Sequence, residues 1–331
     1  MLETDFITRL KAALDARQSY FDPEHKHAFR LLNGFTEGTP DISADIYART
    51  LVLHNYSKQP DSSSHLMNAA EQVLVKELPW IQSAVFKVRY SDLPEKRNGV
   101  VHGRPPDTAI IENGVHYAVD LCLNLDTSFY LDTRNLRTWV KDSLASKFVL
   151  NTFAYTASFG VAARIGGASA VINLDMNASF LNIGKSSLQL NGLQESKQEF
   201  LRMDFWSAVK QFKHLGTRFD CVILDPPFFT KTRKASLDLN KDTPRLINKV
   251  RPLINHNGYL VVINNALFLT GSALYASIEE LCRDGFLSID QIIPVPKDMT
   301  GFPQTISGSP PADPTPFNHP TKIIILRVFQ K

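Results

Sequence analysis

The sequence predicts an α/β protein: a doubly wound, mostly parallel Rossmann-like sheet that ends in an antiparallel C-terminal hairpin and is preceded by a smaller α+β domain. Three observations carry this expectation. From about residue 147 short apolar runs alternate with amphipathic helical segments, the order that builds βαβ units with helices on both faces of a parallel sheet. The final two apolar runs, LSIDQIIPV (287–295) and TKIIILRVFQ (321–330), are joined by a long loop instead of a helix, which fits an antiparallel pair. Residues 1–112 carry strands and helices without that alternation and read as a separate small domain.

The elements follow in order. MLETDFITRLKAALDARQSYF is an amphipathic helix; RLLNG, DISADIYARTLVLHNYS and AVFKVRY read as strands, with a helix around HLMNAAEQVLVKEL. SDLPEKRNGVVHGRPPD reads as a flexible loop. Asn113-Gly114 is a hairpin signal, so 113–132 is expected as a connector packed on a large domain spanning 113–331. KFVLNTF is the first strand of the large sheet and ASFGVAARIGG opens the helix after it; SAVINLD is the second strand. MNASFLNIGKSSLQLNGL is a helix ended by Asn191-Gly192, where Gly supplies a left-handed cap. Strands EFLRMD, FDCVILD and GYLVVINN follow, with helices FWSAVKQFKHLG, DTPRLINKVRPLI and SALYASIEELCRDG after them.

Composition bounds the class. A chain of 331 residues with 44% hydrophobic content buries a substantial core. It has no apolar stretch long enough for a membrane span and its N-terminus lacks the apolar centre of a signal peptide, so a cytoplasmic protein with no membrane partner is expected. Cys122, Cys221 and Cys282 form no CxxC or Cys/His pairing, which gives no support to a metal site or a disulfide framework. The formal charge of +3 does not by itself argue a polyanion partner, although Lys231, Arg233 and Lys234 form a local basic group.

Ligands of open α/β sheets bind outside the carboxyl ends of the strands. The first strand ends in Asn151-Thr152-Phe153-Ala154-Tyr155-Thr156-Ala157-Ser158 and opens directly into a helix, whose first N–H groups favour an anionic group. The second ends in Asp175-Met176, where an acid can accept both hydroxyls of a ribose. The third ends in Asp204-Phe205, a carboxylate for an adenine amine and a ring for its face. Together these predict a pocket for an adenosine-bearing cofactor with an anionic tail. The loop has neither GxGxxG nor GxxxxGK[ST], which favours S-adenosylmethionine over a dinucleotide or nucleoside triphosphate.

The fourth strand stops at Asp225-Pro226-Pro227-Phe228-Phe229. The two prolines force an extended corner that fixes a carboxylate, peptide carbonyls and an aromatic ring side by side. Such a corner suits a planar base: the acceptors hold an amine or ring N–H, and Phe228 or Phe229 stacks on a base taken out of its helix. The bland alternative is a strand end whose phenylalanines fill the core.

NTFAYTASFGVAA, GGASAVINLDMNASFLNIGKSSLQLNGL, LDPPFF and SFYLDTRNLRTWV resemble the class I S-adenosylmethionine-dependent methyltransferases that modify bacterial large-subunit ribosomal RNA, over roughly residues 110 to 270. Asn191-Gly192-Leu193 and the Leu131-Asp132-x-Arg134 element are marks of that group. RLLNGFTEGTPDISADIYARTLVLHNY resembles the small domain that precedes the catalytic domain there. The resemblance implies that Asp132 and Arg134 lie near the cofactor, with Arg134 a candidate for its carboxylate. One departure matters: the group usually has Gly where this chain has Ala157, which resists positive φ and is expected to weaken cofactor affinity.

The target atom is narrowed by chemistry. Methylating carbon 5 of cytosine needs a cysteine nucleophile at a strand tip. Cys221 lies inside its strand, Cys282 on a helix and Cys122 ahead of SFYLD, while the fifth strand ends in Asn264-Asn265. That pair resembles the relatives that methylate guanine at nitrogen 7, a lone-pair nucleophile that needs only orientation and exclusion of water, and Asn264 and Asn265 are expected to read the base edge with their amide donors and acceptors. An exocyclic amine is the other nitrogen candidate. His319 before the last strand is a further candidate substrate contact, and the loop 299–320 a candidate lid or RNA contact. The expectation is therefore a methyltransferase of ribosomal RNA, free or in pre-ribosomal particles, acting on a base nitrogen without a metal, as monomer or homodimer. A methyltransferase of protein or small molecules, and a non-catalytic cofactor-binding scaffold, are the alternatives.

Overall fold

In a computed structural model the described residues are 3–227, 229–231, 236–239, 241–307 and 313–330, with the backbone alone described at 229–231, 236 and 237. The chain divides into two units, Met1–Leu131 with Pro296–Pro311 and Asp132–Val295 with Ala312–Lys331.

In the first unit α1 (Glu3–Ala16) precedes β1 (Ala28–Asn33), β2 (Ile42–Tyr47) and β3 (Thr50–Asn55). Then come α2 (Pro60–Glu77), β4 (Ser83–Val88), α3 (Pro94–Asn98) and β5 (Val100–Gly103), and after them the hairpin of β6 (Ala109–Glu112) and β7 (Val115–Ala118). The sheet order is β1-β2-β3-β4-β5. Because α2 crosses between them, β3 and β4 are parallel; the other pairs are antiparallel. Phe6 and Leu10 of α1 and Leu66, Ala70 and Leu74 of α2 pack on one sheet face. The segment 91–107, expected as a flexible loop, instead forms α3, started by Pro94 and ended by Gly99 at φ 135°, and the edge strand β5. Asn113 (φ 51°) and Gly114 (φ 77°) make the expected hairpin turn.

This hairpin and the residues after it group with the first unit, so the division falls at 131/132 and not at 112/113. The reason is hydrogen bonding: the buried Tyr47 hydroxyl donates to Phe129 O at 2.8 Å, and Ile111 N–H to Lys26 O at 2.8 Å. Part of the 299–320 loop also belongs here. Arg17 and Glu37, both buried, form a two-pronged pair, and Arg17 also donates to Asp298 O.

The second unit runs α4 (Arg134–Ser143), β8 (Phe148–Thr152), α5 (Ser158–Ile165), β9 (Ala170–Asp175), α6 (Ala178–Leu190), β10 (Phe200–Arg202) and α7 (Phe205–His214). It continues with β11 (Phe219–Leu224), the small hairpin β12 (Phe229–Lys231) and β13 (Ser236–Asp238), α8 (Thr243–Val250), β14 (Ile254–Asn264), α9 (Gly271–Cys282) and β15 (Leu287–Ile293). The chain then passes through α10 (Lys297–Thr300) of the first unit before β16 (Lys322–Val328). The sheet order is β10-β9-β8-β11-β14-β16-β15, parallel up to β14 and antiparallel on both sides of β16. The expected closing hairpin is thus present, with the last strand inserted between β14 and β15.

Alternation along β11 shows why both faces carry helices. Val222 and Leu224 join Ala208, Val209, Leu246 and Leu274 of α7, α8 and α9; Cys221 and Ile223 join Val140 and Phe159 of α4 and α5. Side chains cap the helix starts: Asn177, Asp204 and Thr270 cap α6, α7 and α9. Gly192 (φ 71°) ends α6, with Leu193 N–H bonded back to Leu188 O at 3.0 Å.

Candidate active site

The loop after β8 is built from left-handed residues. Phe153 (φ 54°), Tyr155 (φ 50°) and Ala157 (φ 60°) all occupy a region that costs a non-glycine residue roughly 1–2 kcal/mol. Hydrogen bonds hold it: Ala154 N–H to Leu174 O at 2.9 Å, Tyr155 N–H to Asp175 Oδ2 at 2.9 Å, and Ala157 N–H to Ala154 O at 2.7 Å. The other oxygen of Asp175 accepts Asn177 N–H at 2.8 Å. Two backbone donors therefore aim the carboxylate, which has lone pairs left for hydroxyls. Thr156 is buried and Ser158 partly buried at the start of α5. Beside Asp175, Met176 is 62% exposed and offers a thioether surface.

Two residues expected at the cofactor are placed otherwise. Phe205 is buried: it stacks on Phe153 with ring centroids 4.8 Å apart and meets Trp206 edge-on, so it is core and has no open face for an adenine. Asn151 is fully buried, its amide donating to Asn173 Oδ1 at 3.0 Å, so it supports the loop from below. Asp204 caps α7 by accepting Ser207 N–H at 3.0 Å.

A second group forms around two acids. Asp132 precedes α4, which opens on the partly buried Arg134. Asp132 Oδ2 accepts the Thr321 hydroxyl at 2.5 Å, while its buried Oδ1 has no hydrogen-bond partner among the described residues. Thr321 N–H in turn bonds His319 Nδ1 at 3.1 Å. Asp225 stands at the tip of β11, and its carboxyl is pushed up to about 7, first by burial and second by the charge of Asp132. Pro226 is buried and Pro227 exposed. Phe228, Arg233 and Lys234 and the side chains of Phe229 and Lys231 lie outside the described residues.

At the tip of β14 the two asparagines separate. Asn264 is fully buried: its amide donates to Leu239 O at 3.0 Å and Thr243 Oγ1 at 2.9 Å, and its Oδ1 accepts Ala266 N–H at 2.9 Å. An amide engaged on every side inside the protein is not a base-reading group, which corrects the expectation for Asn264. Asn265 keeps a buried Oδ1 with no partner among the described residues.

The sequence reading missed Thr321, which joins His319 to Asp132, and Lys322. Lys322 is buried and donates to Ala266 O at 2.9 Å and Pro320 O at 2.7 Å; burial pulls its ammonium down to about 8. The one signal for it was a lone lysine heading the otherwise apolar run KIIIL. The cysteines are as expected: Cys221 is fully buried within β11, where burial pushes its thiol far up, Cys282 ends α9, and Cys122 lies in the first unit.

The family profile of S-adenosylmethionine-dependent methyltransferases matches residues 30–285. The chain belongs to this family. The residues fit the donor that the family uses: an aimed Asp175, an exposed Met176 and an Asp132 oxygen with no partner among the described residues. The chain is 33% identical, over 230 residues, to ribosomal RNA large subunit methyltransferase I of Aeromonas salmonicida, an overlap of 69% of this chain and 58% of the relative. The Vibrio cholerae protein of the same name is 34% identical over 237 residues, 70% of this chain and 59% of that one. The chain thus spans just under three-fifths of the length of these curated relatives. Among solved structures, a protein assigned as a methyltransferase and complexed with S-adenosylhomocysteine shares the fold at a TM-score of 0.84 and 24% identity, covering 99% of this chain and 82% of that one. A protein from Streptococcus mutans assigned as an S-adenosylmethionine-dependent methyltransferase does so at 0.83 and 23%, with the same coverage.

Proposed function

We propose that this methyltransferase modifies a base nitrogen, guanine favoured, of large-subunit ribosomal RNA, and that the observation carrying this reading is the Asp225 corner beside Asp132. The relatives are named as methyltransferases of large-subunit ribosomal RNA, which supports an RNA substrate. The bound donor supplies an electrophilic sulfonium methyl group; everything else is positioning by the chain. Asp175 holds the ribose hydroxyls, Met176 lies along the adenine, and Asp132 Oδ1 and Arg134 hold the polar tail. Asp204, Tyr155, Thr156 and Ser158 complete that side of the pocket.

On the substrate side the Asp225 carboxylate and the Pro226 carbonyl accept base N–H groups, and Asn265 Oδ1 accepts another. His319 contributes from the start of β16. Its Nδ1 accepts the Thr321 N–H, so in the neutral ring the proton sits on Nε2. Orientation of a ready lone pair in line with the methyl group, with water excluded, is sufficient chemistry. Transfer to carbon through a thiolate is disfavoured because burial raises all three cysteine thiols above their ordinary value. The first unit and the 299–320 loop serve as RNA contacts in this reading.

Labelled S-adenosylmethionine offered with naked ribosomal RNA, assembled subunits and protein extract tests the substrate class. Transfer to RNA is expected. Transfer to protein alone moves the substrate class, and donor binding without transfer to any fraction indicates a scaffold.

A further inference from the structure

Among the described residues of the second unit the most exposed large apolar side chains are neighbours: Leu267 is 64% and Phe268 is 86% exposed. Single exposed apolar residues are ordinary on protein surfaces and need no account. These two differ because the short loop that carries them is fixed at both ends. On one side Ala266 is fully buried, its N–H bonded to Asn264 Oδ1 at 2.9 Å and its carbonyl to the buried Lys322 ammonium at 2.9 Å. On the other, Leu269 packs into the core, Thr270 caps α9, and Gly271 N–H bonds Asp313 Oδ2 at 2.7 Å. Such a loop keeps its two apolar side chains in water.

Its place in the sheet is equally defined. β14 pairs with β11 in parallel, Val262 opposite Leu224, so Asn264 and the loop after it leave the carboxyl edge beside Asp225 and Pro226. An enzyme that acts on a base within structured RNA must unstack that base and leaves a gap and a newly exposed neighbouring base. A rigid ring beside the pocket compensates for the lost stacking.

We infer that Phe268, backed by Leu267, is an RNA-stacking wedge that occupies the place of, or caps the base next to, the nucleotide drawn into the Asp225 corner. This rests on the RNA reading above. The occupant is an unstacked RNA base, favoured over a second copy of the chain by the loop's position at the substrate edge.

The test uses large-subunit ribosomal RNA, stripped of protein, from cells lacking the enzyme, with wild type, Phe268→Ala and Phe268→Trp. Loss of one base–aromatic stack is expected to lower kcat/KM of Phe268→Ala by ~10- to 100-fold, while Phe268→Trp, which keeps a stacking face, stays within about threefold of wild type. Calorimetric affinity for S-adenosylmethionine stays unchanged in both. Full activity of Phe268→Ala overturns the inference, as does an equal loss in Phe268→Trp. So does a wild-type dimer that Phe268→Ala dissociates in sedimentation, which assigns the pair to a second copy. Wild type that binds the donor and methylates no RNA sinks the RNA reading itself, a result distinct from an active wild type with an indifferent Phe268→Ala.

Discussion

The hydroxyl of Thr321 donates to Asp132 Oδ2 at 2.5 Å and ties the residue before β16 to the turn that opens α4. This bond fixes the Asp132 carboxylate where its charge bears on Asp225, at the tip of a third element. Three segments far apart in sequence thereby meet at one carboxyl group, whose proton is held first by burial and second by the Asp132 charge.

In the proposed role of Asp225, that arrangement predicts a pH dependence for the reaction. A carboxylate accepts a base N–H and a carboxylic acid does so poorly. With Asp225 raised to about 7, kcat/KM is expected to rise across that pH. Asp132→Asn moves the midpoint downward but not to the ordinary 3.8, since burial is the larger cause. A pH–rate profile of both proteins checks it; an unmoved midpoint removes Asp132 from the account.

Stability carries the same signature with the opposite slope. The unfolded chain releases the Asp225 proton near 3.8 and the folded chain near 7, so between them the native state holds the extra proton and stability falls as pH rises. Asp225→Asn flattens this contribution. Urea melts of both proteins at pH 5 and pH 8 should show the variant gaining relative to wild type at the higher pH.

Ala157 and Gly184 are matched. A Cβ on Gly184 would lie 2.7 Å from the Ala157 Cβ, 2.9 Å from the Phe200 ring and 3.0 Å from Thr156 O. Gly184→Ala should destabilise by about 1–3 kcal/mol through overpacking. Ala157→Gly relieves left-handed strain but loses a buried methyl and gains unfolded-state entropy, for a net change within about 1 kcal/mol. In a double-mutant cycle it should rescue part of the Gly184→Ala loss; strictly additive effects would contradict the contact.

Asn264 and Asn265 should respond differently. Asn264→Ala leaves buried partners unsatisfied and is expected to cost roughly 1–3 kcal/mol of stability. Asn265→Ala should leave the melt unchanged and raise KM for RNA. Reversed outcomes would return Asn264 to the substrate.

Much of the fold was legible because βα alternation is a local pattern: every strand and helix expected from 147 onward appears near its place, while the short β12, β13 and α10 were not foreseen, and the Asn191-Gly192 cap forms as read. The resemblance also pointed to the left-handed strain at Ala157. What local pattern does not encode is which way a strand-end side chain turns. Asn264 and Asn265 are adjacent, yet one is sealed by Leu239 and Thr243 and the other is not. Phe205 was read as a ligand face because Phe153, fifty residues earlier, gave no sign of stacking on it. The domain boundary was placed early because the bonds that hold 113–131 to the first unit, such as Tyr47 to Phe129, are long-range.

The most direct test of the central claim is mass spectrometry of nucleosides from ribosomal RNA of cells lacking the enzyme, after incubation with S-adenosylmethionine and either wild type or Asp225→Ala. A base methylated on nitrogen, guanine favoured, is expected with wild type, and none with Asp225→Ala despite unchanged calorimetric binding of the donor. A 5-methylcytosine product, or undiminished methylation by Asp225→Ala, contradicts the claim.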